Sequence, residues 1–178
     1  MKHSLLLIFA CIFFLFISCK KDKLPKLTEE GKNTFGCKVN GKNWVPHGTG
    51  GFGGSDPVSG GFVKNINTIY ITAYNGNESI EFYLENVFNA GEYSLNFTTV
   101  PFPDNSNPKN YGMYLIRGSN NTIPDNSFIT TTVYTGKVDI TNLDTTNKII
   151  SGTFDFTGVD KAGNTKRISD GRFDVKTH

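Results

Sequence analysis

Between Ile69 and Glu85 apolar and polar side chains take turns along the chain. Ile69, Ile71 and Ala73 alternate with Tyr70, Thr72 and Tyr74, and in Ser79-Ile80-Glu81-Phe82-Tyr83-Leu84-Glu85 the apolar residues fall mostly on even numbers. In Glu92-Tyr93-Ser94-Leu95-Asn96-Phe97-Thr98 they fall on odd numbers. A period of two belongs to a strand with one buried face, whereas a helix repeats nearer 3.6. Asn75-Gly76-Asn77 predicts a turn between the first two segments, and Asn89-Ala90-Gly91 predicts a turn that makes the second and third a hairpin. Further strands are predicted over 111–117, 128–134, 137–142, 149–159 and 165–175, and no segment carries a sustained helical stripe. The expected fold is all-β: a single antiparallel β-sandwich or closed barrel-like domain of about eight to ten strands, spanning residues 34–178.

Two local signals sharpen this picture. Val39-Asn40-Gly41-Lys42 puts Asn-Gly at the two central positions of a turn that needs positive φ at both, a strong hairpin signal. Val39 then stands opposite Lys42, Cys37 opposite Trp44 and Phe35 opposite Pro46, so Phe35, Cys37, Val39 and Trp44 share one face. On that face Cys37 is a buried small hydrophobe. Near the other end, Asp160-Lys161-Ala162-Gly163-Asn164 resembles the turns of bacterial immunoglobulin-like sandwiches. In the strand after it Ile168 is even but Phe173 and Val175 are odd. That slip of one predicts a bulge at Asp170-Gly171.

The amino-terminal segment has a different texture. Lys2 and His3 precede an apolar run from Leu5 to Ile17, 13 residues long, whereas a helix needs about 20 to cross a bilayer. These are the proportions of a secretory signal. The run ends at Phe16-Ile17-Ser18-Cys19, which resembles the lipobox of bacterial lipoproteins. The resemblance implies a signal peptide over 1–18 and lipid attachment at Cys19. One acyl chain binds a membrane only marginally and stable anchoring takes two signals, so a multiply acylated Cys19 accounts for retention after the signal is removed. Residues 19–33, rich in charge, read as a lipidated flexible tether, with Lys20, Lys21, Lys23 and Lys26 near anionic headgroups. Cys11 leaves with the signal and Cys19 carries lipid, so only Cys37 remains and no disulfide framework is available.

Residues 33–46 (NTFGCKVNGKNWVP), 149–160 (IISGTFDFTGVD) and 167–175 (RISDGRFDV) resemble a family of uncharacterised exported lipoproteins of Bacteroidota. The resemblance implies an all-β lipoprotein of the cell envelope, anchored to the membrane on its periplasmic or surface side. It brings no catalytic or binding residues with it.

Charge and candidate chemistry change the picture little. The formal net charge is +2, but from Asn33 onward 12 Lys and Arg face 13 Asp and Glu, which gives no reason to invoke nucleic acid. The glycine-rich stretch 47–61 (HGTGGFGGSDPVSGG) lacks the Gly-Lys-Ser/Thr ending of a phosphate loop. His47 and His178 are the only histidines beyond the signal, and no nucleophile elbow accompanies them. Asp104-Asn105-Ser106-Asn107 and Asp160 with Asn164 carry oxygens suited to calcium but not the EF-hand spacing, and read as turns. Glu81, Glu85, Asp155 and Asp174 are the acids from which a glycosidase pair would be drawn. The leading expectation is a non-enzymatic lipoprotein with a structural or protein-interaction role, taking no cofactor or metal. The alternative is a small-ligand or glycan-binding module, with Phe52, Phe62, Phe102 and Tyr111 as candidate stacking rings. Its partners would be the membrane, through the lipid, and an envelope protein or glycan.

Overall fold

A computed structural model describes residues 23–48, 56–99, 109–118 and 126–177. These residues form an antiparallel sheet of eleven strands, curled into a half-barrel, with no α-helix among them. Along the main path the strands are ordered β2 (Lys42–Trp44), β1 (Thr34–Val39), β11 (Thr165–Lys176), β10 (Ile149–Val159), β8 (Ser127–Ile129), β7 (Tyr111–Ile116), β5 (Glu78–Leu84), β4 (Thr68–Asn75) and β3 (Val58–Val63). At β10 the sheet branches. β9 (Gly136–Asp144) pairs with β10 from Ile149 to Phe156, β6 (Gly91–Leu95) pairs with β9, and only Val159 is left to meet Ile129 of β8.

The two halves of the curled sheet press their inner faces together. Phe82 of β5 packs on Phe154 of β10 at 5.3 Å and on Phe173 of β11 at 5.2 Å, and Phe35 of β1 lies 4.9 Å from Phe154. Ile69, Ile71, Ala73, Ile80, Leu84, Val138, Ile140 and Ile150 complete a core of buried side chains. Each large side chain buried in this way contributes about 1.5–3 kcal/mol of hydrophobic transfer energy. The interior is therefore filled by aromatic rings and aliphatic side chains together.

The opening hairpin has the predicted register, Val39 with Lys42 and Cys37 with Trp44. Asn40 and Gly41 take φ of 47° and 80°, the positive values that a two-residue turn matched to strand twist demands. Pairing stops at Trp44, however, so Phe35 and Pro46 are not partners. Instead the chain leaves β1 and bridges to the far half: the His47 amide donates to the Tyr74 carbonyl at 3.1 Å, and Asn75 Nδ2 donates to the Val45 carbonyl at 2.9 Å. This crossing ties β2 to β4 and draws the open side together.

The predicted bulge is present. Phe154 pairs with Gly171 and Phe156 with Ile168, so Ser169 and Asp170 together oppose Asp155. Asp170, not Gly171, takes the left-handed conformation, with φ of 52°. Gly171 serves close approach instead, since a Cβ there would stand 2.4 Å from the Phe154 carbonyl oxygen.

Two expectations are corrected, and one strand is added. β5 and β6 are not a hairpin: β5 pairs with β4 and β7, and β6 pairs with β9. Val87, fully buried, donates its N–H to the Asn67 carbonyl at 2.8 Å and turns the connection toward the other half. The segment 128–134 is strand only to Ile129, after which Thr131 caps a turn by accepting from the amides of Val133 and Tyr134. β3 was not foreseen, because Val58-Ser59-Gly60-Gly61-Phe62-Val63 hides a strand inside a glycine-rich stretch.

Candidate functional site

Part of the segment read as a tether is hydrogen-bonded to the domain. Residues 28–32 are clasped to the domain by Asp174 of β11, which is 1% exposed. One carboxylate oxygen accepts from the Thr28 hydroxyl at 2.6 Å and from the amides of Glu30 and Lys32 at 3.1 and 3.2 Å. The other accepts from the Gly31 amide at 2.7 Å and from the Ser151 hydroxyl at 2.8 Å. Burial pushes this carboxyl up, but the hydroxyls of Thr28 and Ser151 and the amides of Gly31 and Lys32 outweigh it and hold it below the ordinary aspartate value. Flanking bonds extend the clasp. Arg172 Nη1 donates to the Pro25 carbonyl at 3.2 Å, and the Lys176 amide donates to Asn33 Oδ1 at 2.9 Å. Polar residues dominate this strap, yet a buried anion fixes it to the domain.

A second polar group sits at the edge of the core. Trp44 Nε1 donates to Glu78 Oε2 at 2.6 Å, and the Tyr114 hydroxyl bonds to the same carboxylate. Burial, and then the Glu78 charge, push the Tyr114 phenol up. Cys37, fully buried nearby, has its thiol pushed up by burial, and a buried thiol kept protonated is chemically inert. On the opposite face of the β5–β7 pair Tyr111 stacks on Tyr83, with centroids 5.9 Å apart and planes 4° from parallel, and its hydroxyl donates to Glu81 Oε1 at 3.0 Å. Burial raises the Glu81 carboxyl, partly offset by the Tyr111 hydrogen bond and the Arg117 charge. These groups stabilise strand pairs; none of them holds a nucleophile beside a base.

The cavity best suited to a ligand lies where the end of β3 meets the β9–β10 turn. It measures about 190 Å³. Phe62, Leu143 and Ile150 give it apolar walls, while Lys64, Lys148, Thr145 and Thr177 add polar groups. Asp144 also lines it, but its carboxylate turns back on its own loop. It accepts from the Thr146 and Asn147 amides at 3.0 and 2.8 Å and from Asn147 Nδ2 at 2.7 Å. A larger hollow of about 430 Å³ runs along the bulge between β10 and β11. Its charges neutralise one another: Arg167 pairs with Asp155 at 3.0 Å, and Asp170, which lines it, pairs with Lys38 at 2.7 Å.

The sequence candidates scatter across the molecule. Cys19, Lys20, Lys21, Phe52, Phe102, residues 104–107 and His178 lie outside the described residues. Phe62 lines the small cavity, whereas Tyr111 is buried at 4% exposure and offers no stacking surface. His47 is exposed and bridges strands through its backbone. The four acids do not converge. Asp174 holds the strap, Asp155 faces Arg167, Glu81 accepts from Tyr111, and the Glu85 amide is bonded to Asn110 Oδ1 at 2.9 Å. Asp160 is a turn residue, accepting from the Ala162 and Asn164 amides and from Asn164 Nδ2. Among the described residues no group of three or more His, Cys, Asp or Glu converges on a metal position. Lys64 and Lys148 escaped sequence reasoning, because isolated lysines in turns carry no signal until the fold joins those turns.

No curated protein and no solved structure matches the chain. The model of a family described as a domain of unknown function (DUF6252) matches residues 60–175, from the middle of β3 almost to the end of β11, and leaves the strap and the opening hairpin outside the matched span. A match over that much of the chain shows its family: the protein belongs to DUF6252.

Proposed function

We propose that this protein is a lipid-anchored component of the bacterial cell envelope, whose β-domain is a non-enzymatic structural or protein-interaction module. The observation that carries the reading is the junction at Ser18-Cys19, where a 13-residue apolar run stops at a cysteine. Cys37 supports it, since a thiol at 0% exposure is closed to acylation. The docked strap adds a mechanical consequence. Six residue-to-residue steps lead from Cys19 to Pro25, the first of the described strap residues with a hydrogen bond to the domain. At about 3.4 Å per extended residue that allows at most about 20 Å of slack, against about 50 Å for a free tether over 19–33. The domain is thus held against the membrane rather than displayed far from it. Metabolic labelling with a fatty acid tests the anchor: Cys19→Ala abolishes label and membrane retention, and label persisting on the variant overturns the proposal.

A second reading, a binding module for a small ligand or a single glycan residue, is favoured by the cavity beside Phe62. Its partly apolar walls and few polar groups are the usual makeup of a ligand site, although drug-sized pockets are larger, about 300–1,000 Å³.

A further inference from the structure

Resting on that second reading, we propose that the cavity between β3 and the β9–β10 turn binds a carboxylate carried on a six-membered ring, such as a uronic-acid residue or an aromatic acid. Size sets the first limit. A cavity of about 150 Å³ accepts benzene, so 190 Å³ takes one ring with its substituent and excludes an oligosaccharide chain. Shape and polarity set the second. Phe62, half-buried at the end of β3, offers an aromatic surface, and Leu143 and Ile150 close the apolar side.

Charge sets the third limit. Lys64 follows β3 directly and Lys148 ends the β9–β10 turn, so two cations from separate loops line one small space. Neither has an ion-pair partner among the described residues. Asp144 leaves the lining at a formal +1, and the three donors of its own loop occupy its oxygens. Those donors hold its carboxyl below the ordinary value, the Asn147 amide and side chain contributing most. Asp144 therefore stays ionised and does not donate to an incoming carboxylate. Lys148 is also held at φ of 60°, a left-handed conformation uncommon for a non-glycine residue. The larger hollow along the bulge lacks this imbalance, because its charges are paired.

Saturation-transfer NMR on the full-length protein in neutral detergent micelles, with empty micelles as the blank, tests the assignment. Glucuronate and benzoate are the probes and glucose is the neutral control. A ligand of this size at ordinary efficiency binds with a Kd on the order of 1 mM, within reach of the method. The expected result is saturation of glucuronate, benzoate or both, little with glucose, and at least tenfold weaker binding to the Lys64→Gln/Lys148→Gln variant. Glucuronate alone would mark a sugar acid and benzoate alone an aromatic acid. Saturation of neither probe, equal saturation of glucose, or binding unchanged in the double variant overturns the proposal. The lipid anchor is untouched by any of these outcomes, since it is read by fatty-acid labelling.

Discussion

Replacing Asp174 by alanine removes the buried carboxylate that clasps residues 28–32 of the strap. The carboxylate accepts five hydrogen bonds, from Thr28, Glu30, Gly31, Lys32 and Ser151. Bonds to a charged acceptor are worth about 1.5–3 kcal/mol each, so a simple sum would exceed half the total stability of many domains, about 5–15 kcal/mol. The sum does not apply, because four of the donors belong to one strap that can lift into water together. Lifting restores their hydration and returns about 1–2 kcal/mol of backbone entropy per freed residue. Ser151 has no such escape. Its residue is fully buried in β10, and an unsatisfied buried hydroxyl costs about 1–3 kcal/mol. Together with the lost net docking, the expected destabilisation is about 2–4 kcal/mol, or roughly 5–15 °C in Tm for a domain of this size. Chemical denaturation gives the magnitude, and hydrogen exchange gives the mechanism. The Gly31 and Lys32 amides lose protection in the variant while those of β1 and β11 keep it. In the parent, Asp174 is depressed below its unfolded value, so its contribution is complete above about pH 4 and is lost as pH falls through the folded value. A variant that melts like the parent and still protects Gly31 and Lys32 refutes the clasp.

Trp44→Ala is expected to cost about 3–5 kcal/mol, because Trp44 is 5% exposed, meets Phe35 edge-on at 6.0 Å and donates to Glu78; a denaturation midpoint equal to the parent's would place it outside the core. Glu81→Gln is expected to leave stability within about 0.5 kcal/mol of the parent at neutral pH or to raise it, since burial lifts the Glu81 carboxyl and the ionised form is the costly one. By the same sign, the parent loses stability as pH rises from the ordinary glutamate range through the folded value, and the variant does not. Melting curves across that range that run parallel for the two proteins would refute the assignment.

The sequence by itself determined what is local. Period-two alternation placed Ile69, Ile71, Ala73, Ile80, Phe82 and Leu84 on inward faces, because successive side chains of a strand point to opposite sides. Asn40-Gly41 set the register of the first hairpin, because few residues accept positive φ twice in succession. The slip of parity between Ile168 and Phe173 announced the bulge. Tertiary structure decided what depends on partners far along the chain. Alternation says which face of β6 is buried but not which strand it joins, so β6 crossed to β9 instead of pairing with β5. Asp174 follows Phe173 in an ordinary strand pattern and reads as a solvent-facing acid. Only the fold brings it within hydrogen-bonding distance of Thr28, 146 residues away, where the donors of a polar strap make a buried carboxylate tolerable. The cavity beside Phe62 has the same origin. Lys64 and Lys148 stand in separate turns, and only the curl of the sheet brings those turns together.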